Sequence, residues 1–224
     1  MINQLETPKD YIDYCNLHYS SLIQKLIEDN HKFFMFEKTI EWCFWYDDNA
    51  AIVATCGRKD NIIRINSLSI LMAIRGDDLR TIEYYLLHEI RHIFQHLVIA
   101  DYLANKNVSV DECIIKLWID ESSHYVKAID KNGNENPRYF EQDSELDAYA
   151  FSYAVMKYKY KDTATLYLPK VYSNDHFESI VNEWLEAFDN LWDKLTKKFR
   201  FYGTLRYQST YFLGAITPKI PPRI

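Results

Sequence analysis

The residues best suited to chemistry lie in the stretch His88-Glu89-Ile90-Arg91-His92, which has the pattern H-E-x-x-H. On an α-helix, residues four apart share one face and lie about 6 Å apart along the axis. Two neutral imidazoles placed in this way can bind one divalent metal ion, beside a carboxylate that can accept a proton from a metal-activated water. The pattern therefore predicts that His88 and His92 bind Zn²⁺ and that Glu89 is a catalytic base.

The sequence around this motif predicts a long amphipathic helix over about residues 79–105. Asp77 and Asp78 precede it and offer N-cap side chains. The helix face opposite the two histidines carries the apolar residues Leu86, Ile90, Ile93, Phe94 and Leu97. We therefore expect one face of this helix to pack on a core while the histidines face a cleft.

A catalytic zinc site needs a third protein ligand and one open position. His96 is a poor candidate, because it lies about 12 Å along the helix axis from His88. We expect it to be a surface or second-layer residue. A second helical run, over about 138–160, has one face made of Glu145, Ala148, Tyr149 and Ser152. A small alanine beside the glutamate lets two helices approach closely, so Glu145 is the candidate third ligand; the alternative is a solvated surface carboxylate.

Together the two elements resemble the small gluzincins, especially ImmA/IrrE-type metallopeptidases. In that family H-E-x-x-H is followed by E-x-[DE]-A-x-x-[FY]-[AS], and here residues 145–152 read ELDAYAFS. The resemblance covers roughly residues 50–160 and implies a zinc metallopeptidase with Glu145 as the third ligand. The chain departs from the family at Tyr149, where Asn or Asp is common. The 52 residues between His92 and Glu145 (93–144) are also a longer gap than usual.

Upstream of the motif, residues 51–56 and 61–66 are rich in β-branched side chains and flank a turn at Gly57–Asp60. This pattern predicts a β-hairpin. Residues 61–66 alternate in part and have polar ends, which is typical of an edge strand. In zincins such a strand lies over the active-site helix and pairs with an extended substrate, a form of β-strand addition. A strand without any substrate role is the alternative.

Further strands are predicted at 33–37 and 41–46, and further helices at Pro8–Asn30, Ser67–Ile74, about 109–128 and about 175–200. Ser109 and Glu112 form a capping-box pattern at the start of the 109–128 helix. We therefore predict one α+β domain over residues 1–224, mostly helical and zincin-like, with a small antiparallel sheet packed on the H-E-x-x-H helix. It has a helical insertion near 107–137, a loop at 131–137 and a Pro-rich tail near 204–224.

Composition restricts the partners that the chain can have. The net charge of −6 argues against general binding of nucleic acid, which relies on clusters of Lys and Arg. The four cysteines are widely spaced, and residues 1–10 show no signal-peptide pattern. No apolar run is long enough to cross a bilayer. We expect a cytoplasmic protein with reduced thiols, whose partner is a peptide or protein substrate.

The sequence does not identify the group that would stabilise the oxyanion in peptide hydrolysis. Tyr149, His124 and His176 are candidates. Mn²⁺, Fe²⁺ or Co²⁺ could replace Zn²⁺, because affinity and availability both decide occupancy. The rival reading is a non-catalytic, zinc-bearing regulatory or protein-binding protein, for which a phage or mobile-element origin is suggested by the family resemblance alone. No helix-turn-helix pattern accompanies it.

Overall fold

The computed structural model describes residues 5–34, 36–129, 134, 136–161 and 166–201, with side chains described as far as residue 190. It has a mixed α+β architecture in which helices predominate around a small sheet. The strands are β1 (Glu41–Trp45), β2 (Ala54–Cys56) and β3 (Ile62–Asn66). The helices are α1 (Pro8–Asn30), α2 (Ser67–Arg75), α3 (Leu79–Leu103), α4 (Glu112–Ser123), α5 (Asp143–Tyr160) and α6 (Asp175–Phe201).

The helices begin where side chains satisfy their free N–H groups. Thr7 caps α1 in a reciprocal pair with Asp10, and Pro8 occupies the first turn, where its missing N–H costs nothing. Asp78 caps α3 by accepting from the Thr81 N–H. The predicted bounds of α1, α2 and α3 are confirmed to within two residues.

The sheet has the order β1-β3-β2 and is mixed rather than antiparallel. The hairpin of β2 and β3 is confirmed as antiparallel, but β1 pairs with β3 in parallel. The physical reason lies in Asn66, whose buried side chain donates to the carbonyls of Asp47, Asn49 and Ile52. The loop after β1 therefore folds around the end of β3. As a result, β2 pairs with the edge of β3 that lies opposite β1. The prediction that residues 61–66 form an edge strand is wrong, because β3 is central.

The predicted strand at 33–37 is also wrong. Residues His31–Phe33 form a 3₁₀ turn at the end of α1, and Phe34 follows in extended backbone outside the sheet. Phe33 and Phe34 are both buried although they are adjacent in sequence. A strand would direct adjacent side chains to opposite faces. The burial of both phenylalanine rings is therefore explained by a turn that packs on the core, and not by a strand.

Helix α3 lies at the centre of the main core, between β2, α5 and α2. Its apolar face is buried at Leu86, Ile90 and Ile93, as predicted. Helix α6 packs on α5, and its residues Phe177, Ile180, Val181, Trp184 and Phe188 are buried. The apolar residues Leu191, Trp192 and Leu195 of the same helix lie outside the described side chains.

The inserted segment between the two motif elements forms α4, which is shorter than the predicted helix over 109–128. Its N-cap is Asp111, which accepts from the Cys113 N–H, so the predicted start at Ser109 is wrong by two residues. Helix α4 packs on α3 through a separate apolar cluster of Phe94, Val98, Ile115 and Trp118. Much of the predicted 131–137 loop, and the whole 204–224 tail, lie outside the described residues.

The second motif helix also begins later than predicted. A 3₁₀ turn occupies Pro137–Tyr139, and α5 starts at Asp143. Across the helices of the described residues, none combines the length and the apolar character needed to cross a membrane.

Candidate metal centre

Helices α3 and α5 bring the three predicted metal ligands together. The Nε2 atoms of His88 and His92 are 3.1 Å apart. Glu145 Oε2 lies 3.2 Å from His88 Nε2 and 3.4 Å from His92 Nε2. Glu145 reaches this position because Ala148, one turn further along α5, is wholly buried and lets the helices approach. The alternative of a solvated surface carboxylate at Glu145 is therefore wrong.

The three atoms have the spacing that one metal ion requires. In a tetrahedral site with metal–ligand bonds of about 2.05 Å, the ligand atoms lie about 3.3 Å apart. All three side chains are largely buried, and Glu145 Oε2 faces the two histidine nitrogens with no other hydrogen-bond donor among the described residues. A buried carboxylate oxygen in this position is costly unless a cation, either a metal ion or a protonated histidine, neutralises it. These residues therefore fit a divalent metal, and His₂Glu is a known catalytic ligand set.

The tautomer of His92 follows from its neighbour Gln95. The Gln95 Nε2 group donates to the Ser144 carbonyl at 2.9 Å and to Asp147 Oδ2 at 2.8 Å. Its Oε1 atom must then accept, and it lies 2.8 Å from His92 Nδ1. His92 therefore carries a proton on Nδ1, which leaves the Nε2 lone pair to face Glu145 and the metal position.

This hydrogen-bond chain is anchored in a buried ion pair. Arg91 donates through Nε to Asp147 Oδ2 at 2.7 Å and through Nη2 to Oδ1 at 3.1 Å. The guanidinium is buried and stacks near Phe94 and Trp184. A bidentate pair of this kind fixes the carboxylate geometry. Arg91 and Asp147 thus hold Gln95, which in turn holds His92.

The ionisation of the three ligands is coupled. Burial lowers the pKa of His92, but the facing Glu145 carboxylate outweighs this effect and brings the pKa to about 9. Burial lowers the pKa of His88, which remains neutral near pH 7. The pKa of Glu145 falls well below its usual range, because the two histidines outweigh its burial. Without metal, one proton therefore stays between His92 and Glu145.

Glu89 lies in the same buried cleft but is not one of the three clustered ligands. Its side chain is almost fully buried, and this burial raises its pKa to about 8. The His92 charge and the Cys56 backbone N–H, on β2, act in the opposite direction, while Glu145 adds to the rise. A carboxylate with a pKa near neutrality is well matched to accepting and returning a proton.

Tyr125, which follows α4, approaches the site from the inserted segment. Its hydroxyl donates to Glu145 Oε1 at 3.0 Å. Glu121, on α4, accepts from the backbone N–H groups of Asp143 and Ser144 and so fixes the start of α5. The insertion therefore supports the third ligand, both through its hydroxyl partner and through the helix that carries it.

The three oxyanion candidates occupy different positions. Tyr149 is buried, and its ring packs 4.3 Å from that of His88. His124 is exposed at the end of α4, and its Nδ1 atom lies 3.1 Å from the Asp120 carbonyl. His176 is exposed in the first turn of α6. Neither histidine lines the cleft, so the suggestion that they act there is wrong for the described structure.

His96 is a second-layer residue, as predicted. Its ring lies 6.5 Å from that of His92, and its Nδ1 atom is 2.9 Å from Asn61 Oδ1. Sequence reasoning missed Gln95, Asp147 and Tyr125 as supports of the site. A signal was present for Gln95 and Asp147, since polar residues on buried helix faces need partners.

A cleft of about 870 Å³ opens above the metal ligands. Strand β2 forms one wall, and the inserted segment forms part of the opposite wall. The hydrogen bonds from the Gly57 N–H to Ile62 and from the Asn66 N–H to Val53 set the register with β3. In antiparallel pairing such bonds alternate, so the backbone groups of Ala54 and Cys56 point away from β3. They lie along the edge of β2 beside the site, where the Cys56 N–H also interacts with the Glu89 carboxylate.

Comparisons of the chain with protein-family models, with curated proteins and with solved structures give no match.

Proposed function

We propose that the protein is a zinc-dependent peptidase of a zincin-like type, with His88, His92 and Glu145 as metal ligands and Glu89 as general base. The observation that carries this proposal is the triangle of ligand atoms, 3.1 to 3.4 Å on a side, at a buried cleft beside a carboxylate of raised pKa. A structural zinc site is closed by four protein ligands, whereas this cluster has three among the described residues. Three ligands and an adjacent base favour catalysis over the rival regulatory role.

When bound, the metal supplies a Lewis acid that acidifies water and polarises a carbonyl group. Glu89 accepts the proton from the attacking water and later donates it to the amine that leaves. His92 is held in the correct tautomer by Gln95, and Glu145 is held by Tyr125. The burial of these groups excludes bulk water from the proton transfer.

The edge of β2 that faces the cleft is the proposed substrate-binding edge. An extended peptide that added to it would bond to the backbone groups of Ala54 and to the Cys56 carbonyl, next to Glu89, which already interacts with the Cys56 N–H. The sequence-based prediction assigned this role to residues 61–66. The topology instead favours residues 54–56, because β3 is paired on both sides.

Metal removal and restoration test the proposal. We expect the zinc-loaded protein to cleave an unfolded protein or a mixed peptide library, and we expect a chelator to stop cleavage. Restoring one equivalent of Zn²⁺ should restore the rate, since the metal and base together supply most of the rate enhancement. Cleavage that survives complete metal removal would contradict the proposal. Fragment analysis by mass spectrometry measures the outcome directly.

Gln95→Leu tests the assigned support of His92. It removes the acceptor that fixes the Nδ1 proton, and we expect Zn²⁺ affinity to fall by about 10- to 100-fold. Competition with a chromophoric chelator measures this change. Gln24→Leu, which alters an exposed glutamine on α1, is the matched control. Equal zinc affinity in the Gln95 variant and the wild type would show that the hydrogen-bond chain through Arg91, Asp147 and Gln95 does not support zinc binding by His92.

A further inference from the structure

Outside the proposed metal centre, the charged residues that line the cleft differ in sign from the protein as a whole. The chain has a net charge of −6. Among the described residues that line the cleft, the acidic ones are Glu89 and Glu145, which belong to the proposed metal centre. The other charged lining residues are Arg58 and Lys127, and both are cationic. Cationic side chains at the cleft of an acidic protein are a local feature that indicates an anionic ligand.

Arg58 is exposed, but two contacts hold its guanidinium in place. Its guanidinium carbon lies 3.8 Å from the centre of the Tyr125 ring, a close stacking contact. Its Nη1 atom donates to the Ser122 carbonyl at 2.6 Å. Both contacts are with the inserted segment, so Arg58 bridges the two walls of the cleft. A guanidinium fixed by stacking keeps its fork geometry for a planar anion.

The position of Arg58 relates it to the proposed scissile bond. It lies two residues beyond Cys56, at the end of β2 where a substrate strand would run. Tyr125 contacts Arg58 with its ring and donates through its hydroxyl to Glu145. The Tyr125 side chain therefore connects the Arg58 guanidinium to Glu145, the third metal ligand. An extended peptide advances about 3.3 Å per residue, which places an anionic group at Arg58 within a few residues of the cleavage point.

We propose that Arg58 is a substrate-binding residue that selects a peptide carboxylate close to the scissile bond. This proposal rests on the peptidase function proposed above. The carboxylate could belong to an Asp or Glu side chain or to the C-terminus of the substrate, because both present the same planar pair of oxygens. Guanidinium binds such a group with two parallel hydrogen bonds.

The test uses matched peptides and the full-length zinc-loaded protein. One peptide carries an internal Glu with an amidated C-terminus, one carries Gln at that position, and one carries Gln with a free C-terminal carboxylate. Binding is measured by calorimetry with the Glu89→Gln protein, which cannot turn the peptides over, and kcat/KM is measured with wild type. We expect one of the carboxylate peptides to bind about tenfold more tightly than the amidated Gln peptide. The peptide that binds more tightly shows whether the carboxylate belongs to an acidic side chain or to the C-terminus.

Substitutions at Arg58 then assign the preference to this residue. Arg58→Gln should abolish the tenfold preference, and Arg58→Glu should reverse it toward a peptide that carries Lys. Arg75→Gln, an exposed arginine outside the cleft on α2, is the matched control and should retain the preference. Reversal of charge preference is a result that a loss of structure does not produce.

Two outcomes would overturn the proposal. The first is equal binding and cleavage of all three peptides by the wild-type protein, which leaves the peptidase function intact and removes the carboxylate subsite. The second is a carboxylate preference that persists in Arg58→Gln and Arg58→Glu. Failure of the proposed function is distinct from both: no peptide is cleaved at all, whereas binding to the Glu89→Gln protein still reports the subsite.

Discussion

Replacing Glu89 by Gln is expected to lower kcat for peptide hydrolysis by about 100- to 10,000-fold, because it removes the group that transfers the proton. The substitution keeps the size and shape of a nearly buried side chain, so we expect the fold and the bound zinc to be retained. Peptide cleavage and metal content, measured on the same preparation, check both parts.

The control for this variant is Glu28→Gln, which neutralises an exposed carboxylate on α1 and should leave the rate unchanged. Full activity in Glu89→Gln would show that another group carries the proton. A cellular effect that survives while hydrolysis is lost would support the rival, non-catalytic role.

Replacing Glu145 by Ala is expected to weaken Zn²⁺ binding by more than about 100-fold, the upper range for loss of a supporting residue, because it removes a ligand itself. Glu141→Ala is the matched control, since Glu141 is an exposed glutamate in the same acidic stretch. Zinc titration, with circular dichroism to monitor the fold, measures the difference. Unchanged zinc affinity in Glu145→Ala would exclude this residue as a ligand.

The pH dependence of zinc binding follows from the proton held at His92. Its pKa is about 9 without metal, so below pH 9 the metal must displace that proton from Nε2. Affinity should therefore rise with pH, by about tenfold per unit up to pH 9 for one displaced proton, and then level off. Calorimetry in buffers of different ionisation enthalpy counts the released proton. Zinc affinity that does not change between pH 6 and pH 9 would contradict the coupling of His92 and Glu145.

The helices and two of the metal ligands could be predicted from local signals. Apolar residues at three- and four-residue spacing, together with cap residues such as Thr7 and Asp78, define where helices run. His88 and His92 share a helix face by their spacing alone. Glu145 was a candidate because a helix face with a small residue allows close packing, and the family resemblance gave it the role of ligand.

The sheet and the supporting side chains could not be predicted in the same way. The parallel pairing of β1 depends on Asn66, which binds a loop that lies 14 to 19 residues away in sequence. Asp147 contacts Arg91 across 56 residues, and Tyr125 contacts Glu145 across 20. Such contacts follow from tertiary packing, which no local periodicity specifies.

The most direct test of the metal centre is a crystal structure of the zinc-loaded protein with anomalous data at the zinc edge. We predict one anomalous peak per chain, about 2.0 to 2.2 Å from His88 Nε2, His92 Nε2 and a carboxylate oxygen of Glu145. A peak at the cysteine thiolates or at surface histidines, with none between α3 and α5, would contradict the account.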